Sequence, residues 1–246
     1  MASAYSPSQI DIYEEYISLP TQYRVKNNPA LTLEYLTCLH MHQISSIPYE
    51  NLLLHYSPDH SVSLDPQKLF TKIITNARGR GGYCLEGSTF FNHILRALGF
   101  QVYTAGVRIR RRSTEDGVPR GDYTGWFHIV NIVTLPQCNH QKYMVDIAFG
   151  GDGATKPLPL ISGHSVHNLG TQEIRLIYES IPQQIDQSKP LWIYQYRNNA
   201  EQEWNSFYAF SEHEFLDVDF EMVNFYVSRD VSEGNFQVGN VLVVGF

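Results

Sequence analysis

A cysteine follows a glycine pair in Arg80-Gly81-Gly82-Tyr83-Cys84-Leu85-Glu86, and an apolar helical pattern begins directly behind it. Two glycines open backbone angles closed to other residues, so a sharp turn can set the thiol on the first turn of that helix. A side chain there faces the positive end of the helix dipole and its unpaired N–H groups. Such a setting favours the thiolate, the nucleophilic form. Further along, His128 and Asp146 lie on two strand-like segments. A cysteine, a base and an acid that orients the base are the parts of an activated-nucleophile site. In such a site Cys84 attacks a carbonyl and His128 exchanges the proton. Asp146 fixes the imidazole and favours its charged form, and N–H groups at the Cys84 turn hold the oxyanion.

Between the two strands, Leu135-Pro136-Gln137-Cys138-Asn139-His140-Gln141 reads as a hairpin connection. A hairpin centred near Gln137 sets His128 directly opposite Asp146, and a two-residue shift makes them diagonal neighbours on the same face. Opposed side chains have Cβ atoms about 4.5–5.5 Å apart, so strand pairing alone can build the His–Asp dyad. The spacing does not bring Cys84 to that face. Taken singly, each residue has a plainer reading as a small buried cysteine, a partnered strand histidine or a turn aspartate. The glycine pair, the cysteine and the dyad together favour chemistry.

The elements that must position these groups come in two blocks. Ser6, Pro7 and Gln9 predict a capped helix start with a Tyr5–Ile10 staple, and Pro20 ends that element. Asn28-Pro29 opens a second helix to Ile47, with Leu33, Leu36, His40, Ile44 and Ile47 on one face; Tyr49-Glu50-Asn51-Leu52 follows as a turn or short helix. A third helix runs from Cys84 to Gly99, with Phe91, Leu95 and Leu98 as its stripe. Then the period changes to two. Strands are expected at Val102–Ile109, Trp126–Val133, Tyr143–Phe149, Glu173–Tyr178, Leu191–Tyr196, Asn205–Phe210 and Val238–Val244. Loops are expected at Arg111–Asp122 and Gly163–Gly170, and a short helix at Glu212–Asn224. Helices followed by strands indicate an α+β protein with a barrel-like sheet. The apolar terminal strand needs a pairing partner, because a bare edge invites association.

The chain has 246 residues, 43% of them hydrophobic, which suffices for a sizeable core and excludes global disorder. A net charge of −7 argues against nucleic acid as partner. Cys38, Cys84 and Cys138 are too few and uneven for a disulfide framework. With no signal-like start and no apolar run near the ~20 residues that cross a bilayer, a reducing compartment, the cytoplasm, is expected.

Cys38, His40 and His42 do not form a metal site, because neighbours two apart on a helix diverge; His40 reads as a core-edge residue. Arg108, Arg110, Arg111 and Arg112 form a basic cluster that reads as a solvated strand end before it reads as a phosphate site. Arg80 and Glu86, flanking Cys84, are expected to form a structural ion pair. Tyr83, Phe127 and Phe149 are candidates to line an aromatic pocket, with core packing the equal alternative.

The Cys84 stretch resembles the signature of the arylamine N-acetyltransferases. Ile47-Pro48-Tyr49-Glu50-Asn51-Leu52, Trp126-Phe127-His128-Ile129 and Val145-Asp146-Ile147-Ala148-Phe149-Gly150-Gly151 resemble that family's other motifs, in the family's order and most like its fungal members. The resemblance implies a helical bundle, an antiparallel β-barrel and a partial α/β lid around a papain-like Cys-His-Asp core, with residues 1–99, 100–210 and 211–246 as the three parts. It implies ping-pong transfer from acetyl-CoA or another acyl-CoA, a co-substrate and not a permanently bound cofactor, through Cys84 to a small aromatic amine or hydrazine. Tyr83, Phe127, Phe149, Gly150 and Gly151 would contact substrate. The rival readings are an amide synthase of secondary metabolism, a papain-like hydrolase and a truncated, inactive binding relative. Three features depart from the pattern. Gly87 stands where asparagine is common, Ala148 where glycine is common, and family members continue beyond Phe246 into a segment expected to complete the lid.

Overall fold

The computed structural model describes residues 2–231 and 235–245. Ser6 starts helix α1 (Pro7–Tyr16): its Oγ accepts from the Gln9 amide at 3.3 Å, and Gln9 Oε1 accepts from the Ser6 N–H at 3.0 Å. Tyr5 and Ile10 are buried in one core cluster beside this cap. Helix α2 (Leu33–Ser46) starts later than Asn28-Pro29 suggests. Thr32 is the residue that caps it, accepting from the Tyr35 N–H at 3.2 Å, whereas Asn28 turns left-handed (φ 48°) at the end of a short 3-10 turn. The chain then makes a two-residue strand β1 (Tyr49–Glu50), a short helix α3 (Leu52–Tyr56) and helix α4 (Pro66–Phe70), which widens into a π turn at Thr71–Thr75. Helix α5 (Cys84–Ala97) follows, and Gly99, left-handed at φ 93°, stops the chain just beyond it.

Eight strands come next: β2 (Gln101–Arg112), β3 (Pro119–Leu135), β4 (Gln141–Val145), β5 (Leu158–Pro159), β6 (Ser165–His167), β7 (Glu173–Glu179), β8 (Leu191–Arg197) and β9 (Asn205–Phe215). They form one antiparallel sheet in the order β5-β4-β3-β2-β9-β8-β7-β6, curled into a nearly closed barrel, so the α+β expectation holds. The expected Arg111–Asp122 loop shrinks because Arg112 pairs with Pro119, and the Gly163–Gly170 loop contains β6. Pairing of Thr104 with Phe215 and Ala105 with Glu214 holds the end of β9 extended. Helix α6 (Asp217–Val227) therefore starts later than Glu212. The expected terminal strand shrinks to its last two residues, β10 (Val243–Val244): its first two, Val238 and Gly239, end helix α7 (Phe236–Gly239), and irregular chain lies between. That strand is not bare: Tyr49 pairs with Val244 and Glu50 with Val243.

Two cores share β3. Val133 and Leu135 point to the helices, into a cluster with Leu36, Phe90, Phe91 and Leu95. Val130 and Ile132 point into the barrel, among Tyr194, Phe207, Tyr208 and Phe210. A strand buried on both faces reads as a nearly continuous apolar run.

Candidate active site

Strand β1 holds the Cys84 turn on one side and the carboxy-terminal strand on the other. The Glu50 N–H donates to the Gly82 carbonyl at 3.1 Å, and Tyr49 bridges to Gly82 in parallel. The glycine pair is needed for close approach and not for unusual angles, since neither residue has a left-handed φ. A Cβ on Gly81 would fall 1.7 Å from the Pro48 carbonyl oxygen, and one on Gly82 would fall 2.5 Å from the Glu86 Cβ. Cys84 then opens α5, and the Glu86 carboxylate accepts from the Tyr83 N–H at 3.2 Å.

The expected Arg80–Glu86 pair is not what forms. Lys72, from the π turn, sits 2.7 Å from Glu86 and 3.2 Å from Glu50, and Arg80 bonds Glu50 at 3.0 Å. One shared ammonium thus satisfies two buried acids, and Arg80 meets Glu50 through its Nε alone. Burial pushes the Glu86 carboxyl up to about 7 despite Lys72. Burial also works against the Glu50 charge, but Arg80 and Lys72 hold its carboxyl below the usual range.

Strands β3 and β4 pair Asn131 with Val145 and Leu135 with Gln141. One further step sets Asp146 opposite Val130, diagonal to His128, which is the two-residue shift that keeps both on one face. His128 Nε2 lies 2.8 Å from Asp146 Oδ2, and both residues are 1% exposed. A carboxylate only accepts, so Nε2 carries the hydrogen and Nδ1 is left for another partner. Asp146 Oδ1 accepts from the Ala148 N–H at 3.1 Å, and the Tyr208 hydroxyl donates to Met144 Sδ at 3.0 Å.

Between β2 and β3 the register steps from Val107↔His128 to Arg108↔Trp126, so Phe127 is the extra residue of a β-bulge. The Cys84 Sγ reaches the Phe127 carbonyl at 3.9 Å, and there it lies near enough to the His128 ring to favour its charged form. The bulge therefore joins the helix-borne thiol to the barrel-borne dyad. Burial opposes charge on His128, but Asp146 and then the Cys84 sulfur outweigh it and raise the imidazole to about 10. A base held charged beside a sulfur stabilises negative charge on that sulfur, the arrangement that nucleophilic acyl transfer needs.

A family model described as N-acetyltransferase matches residues 32–243. The chain belongs to the arylamine N-acetyltransferase family. Among its relatives, an N-malonyltransferase FDB2 of Fusarium pseudograminearum is 32% identical over 92% of this chain and 71% of that protein. The arylamine N-acetyltransferase of Escherichia coli is 30% identical over 80% of this chain and 61% of its own length. Among solved structures, the Mycobacterium marinum arylamine N-acetyltransferase in complex with CoA superposes with a TM-score of 0.75 at 25% identity, over 95% of this chain and 76% of that one. The chain thus spans between 61% and 76% of the length of these family members. Among the described residues no helix is long and apolar enough to cross a membrane.

Of the other motif residues of this N-acetyltransferase relative, Phe149 sits in the site, its ring 5.1 Å from His128 and 4.9 Å from Tyr208. Phe127 stacks on Tyr226 of α6 at 5.1 Å. Gly150, left-handed at φ 75°, and Gly151 form the turn after Phe149, and a Cβ on Gly151 would lie 3.8 Å from Val244. Tyr83 is fully buried and its hydroxyl donates to Asn224, so it ties the nucleophile turn to α6. The basic cluster is bound into the sheet: Arg108 stacks on Trp126 at 4.0 Å, Arg110 bonds the Gly121 carbonyl and Arg112 pairs with Asp152. Sequence reasoning missed Lys72 and Tyr208. It also missed the buried ladder in which Asn92 donates to Asn131 at 2.8 Å and Asn131 to the Ser88 carbonyl at 3.1 Å. An asparagine inside the apolar run of β3 was the available signal.

Proposed function

We propose that this chain is an acyl-CoA-dependent N-acyltransferase that works through a thioester on Cys84, with His128 as proton carrier and Asp146 as the group that orients it. The observation that carries the reading is the buried His128–Asp146 hydrogen bond of 2.8 Å with the Cys84 sulfur 3.9 Å from the carbonyl of Phe127, the residue before His128. In the first half-reaction the Cys84 sulfur bonds to the acyl carbon, the bond to the CoA sulfur breaks, and His128 gives its proton to the departing thiolate. In the second, an arylamine or arylhydrazine nitrogen bonds to the same carbon and His128 takes a nitrogen-borne proton. The bond to Cys84 Sγ then breaks, restoring the starting pair. Residues 1–99 supply the nucleophile, 100–210 the base and acid, and 211–246 the start of a lid. Phe149, Phe127, Gly150 and Gly151 are the proposed substrate contacts, and Tyr83 supports them. Similarity to an N-malonyltransferase makes a malonyl thioester a donor to set beside acetyl-CoA.

Intact-protein mass spectrometry after brief incubation with acetyl-CoA or malonyl-CoA, without acceptor, tests this. A single acyl adduct is expected, mapped to Cys84, discharged by an arylamine and absent from Cys84→Ala. A folded protein that takes up no acyl group, and whose Cys84 is also inert to a small alkylating agent, would overturn the proposal.

A further inference from the structure

Helix α2 buries His40 completely, and its Nε2 lies 2.8 Å from the carbonyl oxygen of Ala154. A carbonyl only accepts, so Nε2 carries the hydrogen; Nδ1 is then a bare lone pair, buried without a partner. A buried acceptor left unpaired costs about 1–3 kcal/mol. A leucine would avoid that cost but leave the buried Ala154 carbonyl without this donor, so the reason for the ring lies in the bond it makes.

Ala154 closes the segment that begins at Asp146. Within it, the Ala148 N–H donates to Asp146 Oδ1, Phe149 stands against His128, and Gly150–Asp152 make a 3-10 turn. Barrel residues also grip this loop: the Tyr194 hydroxyl donates to the Asp152 carbonyl at 3.1 Å, and Asn168 donates to the Gly153 carbonyl at 3.3 Å. His40 adds a grip from the helical side, the side that carries Cys84.

We propose that His40 is a positioning residue of the acyl-transfer site, donating Nε2–H to Ala154 and so fixing the loop behind Asp146 relative to the helix layer. This rests on the Cys84–His128–Asp146 reading. Burial pushes the His40 imidazole down to about 4, against the Ala154 bond and the Asp146 charge, so the ring acts as a fixed neutral donor. Loosening the loop lets Asp146 and Phe149 drift from His128, and a misplacement near 1 Å costs roughly a hundredfold in rate.

The test compares wild type with His40→Gln, His40→Asn and His40→Leu, each checked for folding by circular dichroism. The rate of Cys84 acylation is followed over donor concentration and pH, with whichever of acetyl-CoA and malonyl-CoA acylates the wild type. Glutamine extends an N–H donor about as far as Nε2 and is expected to keep a near wild-type maximal rate. Asparagine, with the same amide one carbon shorter, and leucine are expected to be at least roughly tenfold slower at saturation. Their half-saturating donor concentration should be unchanged and their pH profile displaced, because the defect lies in the His128–Asp146 alignment. Glutamine and asparagine acylating alike, or leucine matching wild type, would overturn the role of His40. A wild type that takes up no acyl group overturns the underlying reading, and this one with it.

Discussion

Gly87 of the nucleophile helix lies against Ala148 of the aspartate loop, so close that a Cβ on Gly87 would stand 3.1 Å from the Ala148 Cβ and 3.3 Å from Ile147 Cδ1. Both positions stand out in the sequence as departures from the motifs it resembles, and the two share one contact. A side chain lost on the helix makes room for a methyl gained on the loop. Gly87→Asn is therefore expected to destabilise by about 1–3 kcal/mol through overpacking. Adding Ala148→Gly should return part of that loss, with a coupling of about 0.5 kcal/mol or more. Urea unfolding of the four proteins of this cycle measures it, and strictly additive effects would show that the two departures are unrelated.

Lys72 holds two buried acids, Glu50 and Glu86. Lys72→Met removes the shared cation and should cost about 3–5 kcal/mol, as breaking a buried pair does. The loss should grow with pH. Burial raises the Glu86 carboxyl from 4.5 to about 7. Its contribution to stability is fully present below the unfolded value and is lost as pH rises through the folded one. At pH 5 Glu86 is protonated and misses Lys72 least; at pH 8 the variant must either hold an unpaired buried carboxylate or keep it protonated against the solvent, and both cost more. Denaturant unfolding of both proteins at the two pH values checks this, and an equal deficit at both would remove Glu86 from the explanation.

The His128–Asp146 dyad was legible because a single hairpin register fixes it, and both candidate registers keep the two residues on one face. The Cys84 turn was legible as a turn, but the reason for its glycines was not. That reason is the carbonyl of Pro48, brought there by tertiary contact. The Phe127 bulge adds one residue to a strand, and a period-two pattern gives no sign of it. Lys72 was hidden because its partners come from two other segments, and α3 and α4 are each five residues long, too short for a helical period to declare itself. Pairing of β1 with β10 joins nearly opposite ends of the chain, which local pattern does not encode.

Asp146 and the Cys84 sulfur together raise His128 from 6.5 to about 10 against burial. A raised imidazole contributes stability that is complete below the unfolded value and disappears as pH climbs through the folded one. Wild-type stability should therefore decline between pH 6.5 and 10 in a way that Asp146→Asn does not share, because the neutral amide no longer favours the imidazolium. Guanidinium unfolding at pH 6.5, 8 and 10 reads the difference. Parallel declines in the two proteins would mean that other groups set the alkaline limit.

Asn51 binds the carboxy-terminal segment with its whole amide. Nδ2 donates to the carbonyls of Gln237 and Asn240 at 2.9 and 2.8 Å, and Oδ1 accepts from the Leu242 N–H at 2.8 Å. His55 Nε2 reaches the same two carbonyls. Side-chain bonds thus fix residues 237–242 directly before β10 pairs with β1, and β1 in turn steadies Gly82 beside Cys84. Asn51→Ala breaks the first link and leaves carbonyls that His55 and water can still satisfy. The cost should be local: about 1–2 kcal/mol of strand opening, with much less change in global stability. Hydrogen exchange at the residue-51 amide, which donates to the Leu242 carbonyl, and across 242–245 should quicken roughly tenfold, while exchange in β3 stays as in wild type. Unchanged exchange across 242–245 would show that the strand is held by its ladder alone. Slower Cys84 alkylation alongside faster exchange would extend the chain of contacts to the nucleophile turn.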